Sequence, residues 1–102
     1  MIIVKLNYKA PLEEVDKYLQ AHREFLDYHY KQGLFLASGP MNPRVGGILI
    51  ALTKDKAALE NILQQDPYNL ADIADYEYIE FTPVKHRDEI KDMILSTEGK
   101  LC

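Results

Sequence analysis

Apolar residues alternate with polar ones at the start of the chain and then change period. Ile2–Tyr8 is β-branched and aromatic and alternates after Ile3, which predicts a strand that Pro11 ends. Leu12, Val15, Leu19, His22, Leu26 and His29 then recur at spacings of three and four, one face of a helix, and Tyr18 and Phe25 widen the stripe. Glu13, Lys17, Gln20, Arg23, Glu24 and Lys31 take the opposite, wet face. Glu13, Glu14 and Asp16 sit in the first turns, where the helix dipole favours negative charge, and Gly33 is a natural stop. One continuous helix is therefore predicted from Pro11 or Leu12 to that glycine.

Leu34-Phe35-Leu36-Ala37 predicts a second strand buried on both sides. Residues 38–47 are turn chemistry throughout, and 48–52 predict a third strand paired with the second across that long loop. Thr53 or Asp55 can cap a helix over 56–65, whose apolar positions are Ala58, Leu59, Ile62 and Leu63. Asp66-Pro67-Tyr68 breaks it. A fourth strand is predicted over 76–84, with Tyr76, Tyr78, Glu80 and Thr82 on one face and Glu77, Ile79 and Phe81 on the other. A third helix is predicted over 86–95, with Ile90, Met93 and Ile94 on one side, and 96–102 reads as a loose tail.

The order β-α-β-β-α-β is the α+β, ferredoxin-like arrangement: a four-stranded antiparallel sheet with both helices on one face. A single domain over 1–102 is expected, its core over about 1–85 and the last helix and tail over 86–102. The uncovered sheet face keeps apolar side chains, so a homodimer through that face is expected.

Composition narrows the partners. Hydrophobic residues make up 47% and charged residues 27% of the 102, a globular balance. The net charge of -4 argues against nucleic acid, which needs a basic face. The apolar runs are too short to span a membrane, and the first residues lack the basic stretch of a signal peptide. Cys102 is the lone cysteine, reads as a solvated tail residue and cannot form an internal disulfide; a cytoplasmic location is expected.

Three features can carry chemistry. His22, in the middle of an apolar stripe, is either packed with its nitrogens satisfied or faces a pocket, where an imidazole of ordinary pKa about 6.5 exchanges protons near neutrality. Asp66 before Pro67 fits an N-cap, and it also fits a carboxylate that accepts from His22 and fixes its tautomer. In the 38–47 loop, Gly39, Gly46 and Gly47 allow close backbone approach to a ligand, and Arg44 can pair with a carboxylate; a solvated hairpin turn accounts for the same residues. His29, near a helix C-terminus where the dipole favours a histidinium, reads as structural. No CxxC, HxH or HExxH spacing suggests a metal, no phosphate-binding glycine fingerprint occurs, and no cofactor is expected. Tyr76, Tyr78 and Phe81 could stack bases, but the acidic charge speaks against it.

Ala21-His22-Arg23-Glu24-Phe25-Leu26, the Gly-Leu-Phe-Leu-Ala-Ser-Gly-Pro of 33–40, Gly47 entering a strand, Asp66-Pro67-Tyr68 and a strand ending in Pro83-Val84 occur in an order that resembles the YciI-like (YCII-related) family over about residues 1–86. The resemblance implies a dimeric α+β barrel of ferredoxin-like subunits, whose relatives include isomerases and a dehydrochlorinase. It implies an active site with a histidine and an aspartate, which match His22 and Asp66, and a segment beside the pocket, which matches Ser38, Gly39 and Pro40. The helix from about Arg87 onward departs from the short family ending.

Two functions follow. In the first, the protein is a small enzyme: His22 is general acid or base in an isomerisation or elimination on a small anionic or aromatic metabolite, and Asp66 orients it. Ser38, Gly39, Pro40, Arg44 and Tyr68 bind the substrate, with backbone donors near Ser38 and Pro40 holding an oxyanion. In the second, the same pocket of a non-catalytic dimer binds a small ligand, or the dimer binds a protein partner.

Overall fold

Alternation in β1 (Ile2–Tyr8) is a record of two unlike sheet faces. Ile2, Val4 and Leu6 are buried under helices, while Ile3, Lys5 and Asn7 look out from the other face. The structure, a computed structural model, describes residues 1–99. After β1 come α1 (Leu12–Asp16), α2 (Leu19–Lys31), β2 (Phe35–Pro40), β3 (Gly46–Ala51), α3 (Lys56–Leu63), α4 (Pro67–Leu70), β4 (Ala74–Glu80) and α5 (Lys91–Glu98), the last entered through a 3-10 turn at Asp88–Ile90. The sheet order is β2-β3-β1-β4 with every neighbouring pair antiparallel, which is the ferredoxin-like α+β fold. Val4 lies between Leu49 and Tyr78 across the sheet, so the central strand places its inward side chains under those of both neighbours. Val15, Leu26, Leu59, Leu63 and Tyr68 close the core from the helical side.

Several helix ends follow the local chemistry of the sequence. Asp55 caps α3, its Oδ1 accepting from the Ala58 N–H at 3.0 Å. Gly33, at φ +80°, stops α2: its N–H donates to Tyr30 and that of Leu34 to His29, the paired bonds of a Schellman ending.

Other elements differ from the sequence reading. The single first helix is two. The N–H groups of Lys17 and Tyr18 donate three residues back, to Glu14 and Val15, and this tight turn separates α1 from α2 while keeping Val15, His22 and Leu26 on one buried side. The second strand is not buried on both sides. It is the sheet edge, where Phe35 is buried and Ala37 to Pro40 are exposed. Ser38, Gly39 and Pro40 belong to that strand, opposite Leu49, Ile48 and Gly47, so the loop shrinks to 41–45. An edge tolerates a proline because one side of the strand has no partner to receive its N–H.

β3 begins two residues earlier than expected, at Gly46. A Cβ there would lie 1.8 Å from the Leu6 carbonyl oxygen, so only glycine lets the two strands meet at this point. α3 stops at Leu63 and β4 at Glu80, short of the Pro83-Val84 ending. The loose tail is partly helical: α5 runs to Glu98, Ile94 is buried, and the Glu98 carboxylate pairs with the Met1 amine. Met93 faces solvent. Cys102 lies outside the described residues.

Candidate active site

His22 projects from the buried face of α2 and Asp66 from the turn between α3 and α4, and the fold brings them together. His22 Nδ1 lies 2.7 Å from Asp66 Oδ1. Asp66 is 0% exposed and His22 8%. A carboxylate so deeply buried is destabilised by several kcal/mol unless donors surround it. Three do. Oδ1 also accepts from the Tyr68 backbone N–H at 3.1 Å, and Oδ2 accepts from the Tyr76 hydroxyl at 2.6 Å. Asp66 is thus the N-cap of α4 and the partner of His22 at once, two roles that the sequence left as alternatives.

The carboxylate has only acceptors to offer, so the proton in the His22–Asp66 bond sits on Nδ1. Nε2 is then the basic nitrogen. It makes no hydrogen bond among the described residues, and it is not sealed from solvent. The ring is held on its face as well: Tyr68 stacks on it with centroids 3.9 Å apart and planes 4° from parallel.

His22 lines a cavity of about 490 Å³. Leu6, Leu19, Leu26 and Leu49 make its walls apolar. Ser38, Gly39 and Pro40 line it along β2, Arg44 from the 41–45 loop, and Tyr68 beside His22. Of the residues singled out for the pocket in the sequence, Asp66 is absent from the lining because it is fully buried at His22 Nδ1, and Gly46 is absent because it packs against the Leu6 carbonyl. Expected donor roles change near β2. Pro40 has no N–H to give, and the Ser38 hydroxyl is engaged with the Tyr30 hydroxyl at 2.6 Å. Arg44 Nη2 donates to Asp16 Oδ1 at 2.6 Å, and its Cζ lies 5.9 Å from the Tyr8 ring centroid. The Asp16 hydrogen bond pushes the guanidinium pKa above its ordinary value.

Burial pushes the Tyr68 phenol up to about 12. Burial, followed by the Asp66 charge and hydrogen bond, also raises Tyr76 well above its ordinary range. Both therefore stay neutral donors at neutral pH. His29 departs from the dipole argument: burial lowers its pKa, and its ring packs edge-on against Phe25 and Phe35. Three participants escaped the sequence reading: Tyr76, Tyr8 and Asp16. Alternation placed Tyr76 beside Tyr78 on one strand face, the helix side, but no sequence signal marks its approach to Asp66. No group of three metal-ligating side chains is clustered among the described residues.

Residues 1–82 match the family model of the YCII-related domain. The chain belongs to that family. No curated protein matches it. A solved structure, the 5-chloro-2-hydroxyhydroquinone dehydrochlorinase from Burkholderia phenoliruptrix AC1100 in complex with 2,5-dihydroxybenzoquinone, superposes with a TM-score of 0.66 at 16% identity, covering 87% of this chain and 98% of that one. At that identity the likeness is one of fold. In this member of the YCII-related family, α5 lies beyond the matched span and is tied back to β1 through Glu98 and Met1. No helix among the described residues is long and apolar enough to cross a membrane.

Proposed function

We propose that this protein is a small acid–base enzyme, needing no cofactor, that isomerises or eliminates on a small anionic or aromatic metabolite. One observation carries the reading: the buried His22–Asp66 pair, 2.7 Å apart, fixes Nδ1–H and leaves Nε2 as the basic nitrogen of a ring that lines a cavity of about 490 Å³. Nε2 takes a proton from a substrate carbon. The electron pair left in the broken C–H bond either relocates a double bond, with the proton returned to another carbon, or expels an anionic leaving group as a new double bond forms. Asp66 keeps the imidazolium charge paired during the step, and Tyr76 and the Tyr68 N–H keep Asp66 in place. The dehydrochlorinase of the same fold acts, by its name, on a chlorinated hydroxyhydroquinone, which supports an aromatic substrate and elimination as the class to test first.

The sheet face away from the helices carries Ile3, Ile48, Ile50 and Ile79, with Phe81 just past β4, and Ile79 and Phe81 are 51% and 42% exposed. Lys5 lies opposite Glu77 on the same face. An apolar patch with both charge signs is self-complementary, so we infer a two-fold homodimer through it. Sedimentation at micromolar concentration is expected to give twice the monomer mass; a monomer there contradicts the assignment.

The enzymatic reading is tested by incubating a panel of small aromatic and anionic compounds, 5-chloro-2-hydroxyhydroquinone included, with the protein in D₂O and following solvent deuterium entry and product formation by NMR. A compound turned over by wild type is expected to lose about 10²–10⁴-fold in rate with His22→Gln. A compound that binds and is never exchanged or altered favours the non-catalytic, ligand-binding reading instead.

A further inference from the structure

Among the described residues, the Tyr68 hydroxyl is the one buried side-chain polar atom that makes no hydrogen bond. Tyr68 is 2% exposed, and leaving such a donor unpaired costs about 1–3 kcal/mol. The ring is not free to turn elsewhere. It is stacked on His22 and meets Tyr8 edge-on at 6.0 Å. The groups close enough to bear on its hydroxyl are the Tyr8 phenol and the Arg44 guanidinium, of which Arg44 carries the positive charge, and all three residues line the cavity that His22 lines. Arg44 spends one nitrogen on Asp16 and makes no other side-chain hydrogen bond among the described residues, so most of its five donors are uncommitted.

We propose that the Tyr68 hydroxyl and the Arg44 guanidinium form one subsite for a negatively charged oxygen, which anchors the carboxylate or phenolate of a flat ligand beside His22. The assignment rests on the cavity being the ligand site, as in the function proposed above, and adds what the ligand must carry. Both donors suit that task. The phenol keeps its proton far above neutral pH and the guanidinium is always charged, so each has a hydrogen to donate. A charge-assisted hydrogen bond from a buried phenol discriminates strongly against a ligand lacking the acceptor. Because the Tyr68 ring also lies flat on the imidazole, the anchor and the basic nitrogen share one rigid wall. The leucine walls supply the apolar surface that an aromatic or planar unsaturated body needs. Asp16 holds Arg44 at the cavity from the end of α1.

The test is an NMR chemical-shift titration of the full chain with benzoate, 4-nitrophenolate and the neutral isostere benzamide. Wild type is expected to bind at least one of the two anions about tenfold or more tightly than benzamide, and the tighter anion names the oxygen's source. Tyr68→Phe keeps the ring and its stack, so it is expected to fold with undiminished thermal stability while losing most of that preference. Arg44→Gln is expected to lose it as well. None of these probes presents an acidic carbon-bound proton, so binding reads the anchor apart from the chemistry. His22→Gln is accordingly expected to retain the preference for the anion even where it abolishes turnover. Equal binding of anion and amide by wild type, binding of neither, or Tyr68→Phe binding the anion as wild type does overturns the subsite and leaves the acid–base reading standing.

Discussion

Tyr76→Phe removes one oxygen atom and, with it, the one donor to Asp66 Oδ2 among the described residues. That bond is 2.6 Å long and ends on a carboxylate that is 0% exposed, so no solvent can replace the lost hydroxyl without opening the fold. Hydrogen bonds to charged groups are worth roughly 1.5–3 kcal/mol, and the phenyl ring keeps the rest of the contact surface. The expected loss is about 2 kcal/mol. For a domain of this size that corresponds to a fall in Tm of roughly 8–16 °C. Urea denaturation at neutral pH is the assay, and an unchanged m-value is expected because the surface exposed on unfolding is the same. The cause is isolated by a double-mutant cycle. In an Asp66→Ala background, Tyr76→Phe is expected to cost at least about 1 kcal/mol less than in wild type, since its acceptor is already gone. A loss under about 0.5 kcal/mol in wild type, or costs that simply add, would refute the claim that Tyr76 holds the Asp66 carboxylate.

Other consequences are as direct. Gly46→Ala places a methyl 1.8 Å from the Leu6 carbonyl oxygen, a backbone atom that cannot step aside, so a loss of about 3 kcal/mol or more, or failure to fold, is expected by circular dichroism and urea titration. Ile94→Ala empties a fully buried position on α5 and is expected to cost about 2–4 kcal/mol; a cost near zero would show that α5 does not pack on the domain. Tyr68 and Tyr78 are both raised by burial from 10.0 to about 12, so the unfolded chain loses these protons first and stability falls as pH rises through that window. Their contribution is fully present below the lower value, and Tyr68→Phe is expected to flatten the fall, measured by urea midpoints across alkaline pH.

What was legible in the chain was what short-range pattern controls. The alternation of β1 and the three-and-four spacing of α2 survive because each element buries one side. Asp55 and Gly33 act on their own helix ends and could be named as caps. The break at Lys17 and Tyr18 was invisible, because a tightened turn leaves Val15, His22 and Leu26 in register. Leu34-Phe35-Leu36-Ala37 looked fully buried because it is apolar, yet whether a strand is central or at the edge depends on pairing with distant segments. Ser38, Gly39 and Pro40 read as a turn by composition for the same reason.

The site divides in the same way. His22 stood out as a titratable residue in an apolar stripe, and Asp66 as a cap. Their approach across 44 positions of sequence is a product of the whole fold: the residue types allow the pairing as one of two roles for Asp66, and only the family resemblance favours it. Nothing local marks Tyr76 as the second support of Asp66, or Asp16 as the tether of Arg44.

The most direct test of the central claim is the protonation of the His22 ring itself, read by nitrogen-15 NMR of the imidazole in wild type and in Asp66→Asn. The account predicts that the neutral ring carries its proton on Nδ1, bonded to Asp66, with Nε2 unprotonated, and that Asp66→Asn abolishes this preference. A neutral ring protonated mainly on Nε2, or a ring spectrum indifferent to Asp66, would contradict it.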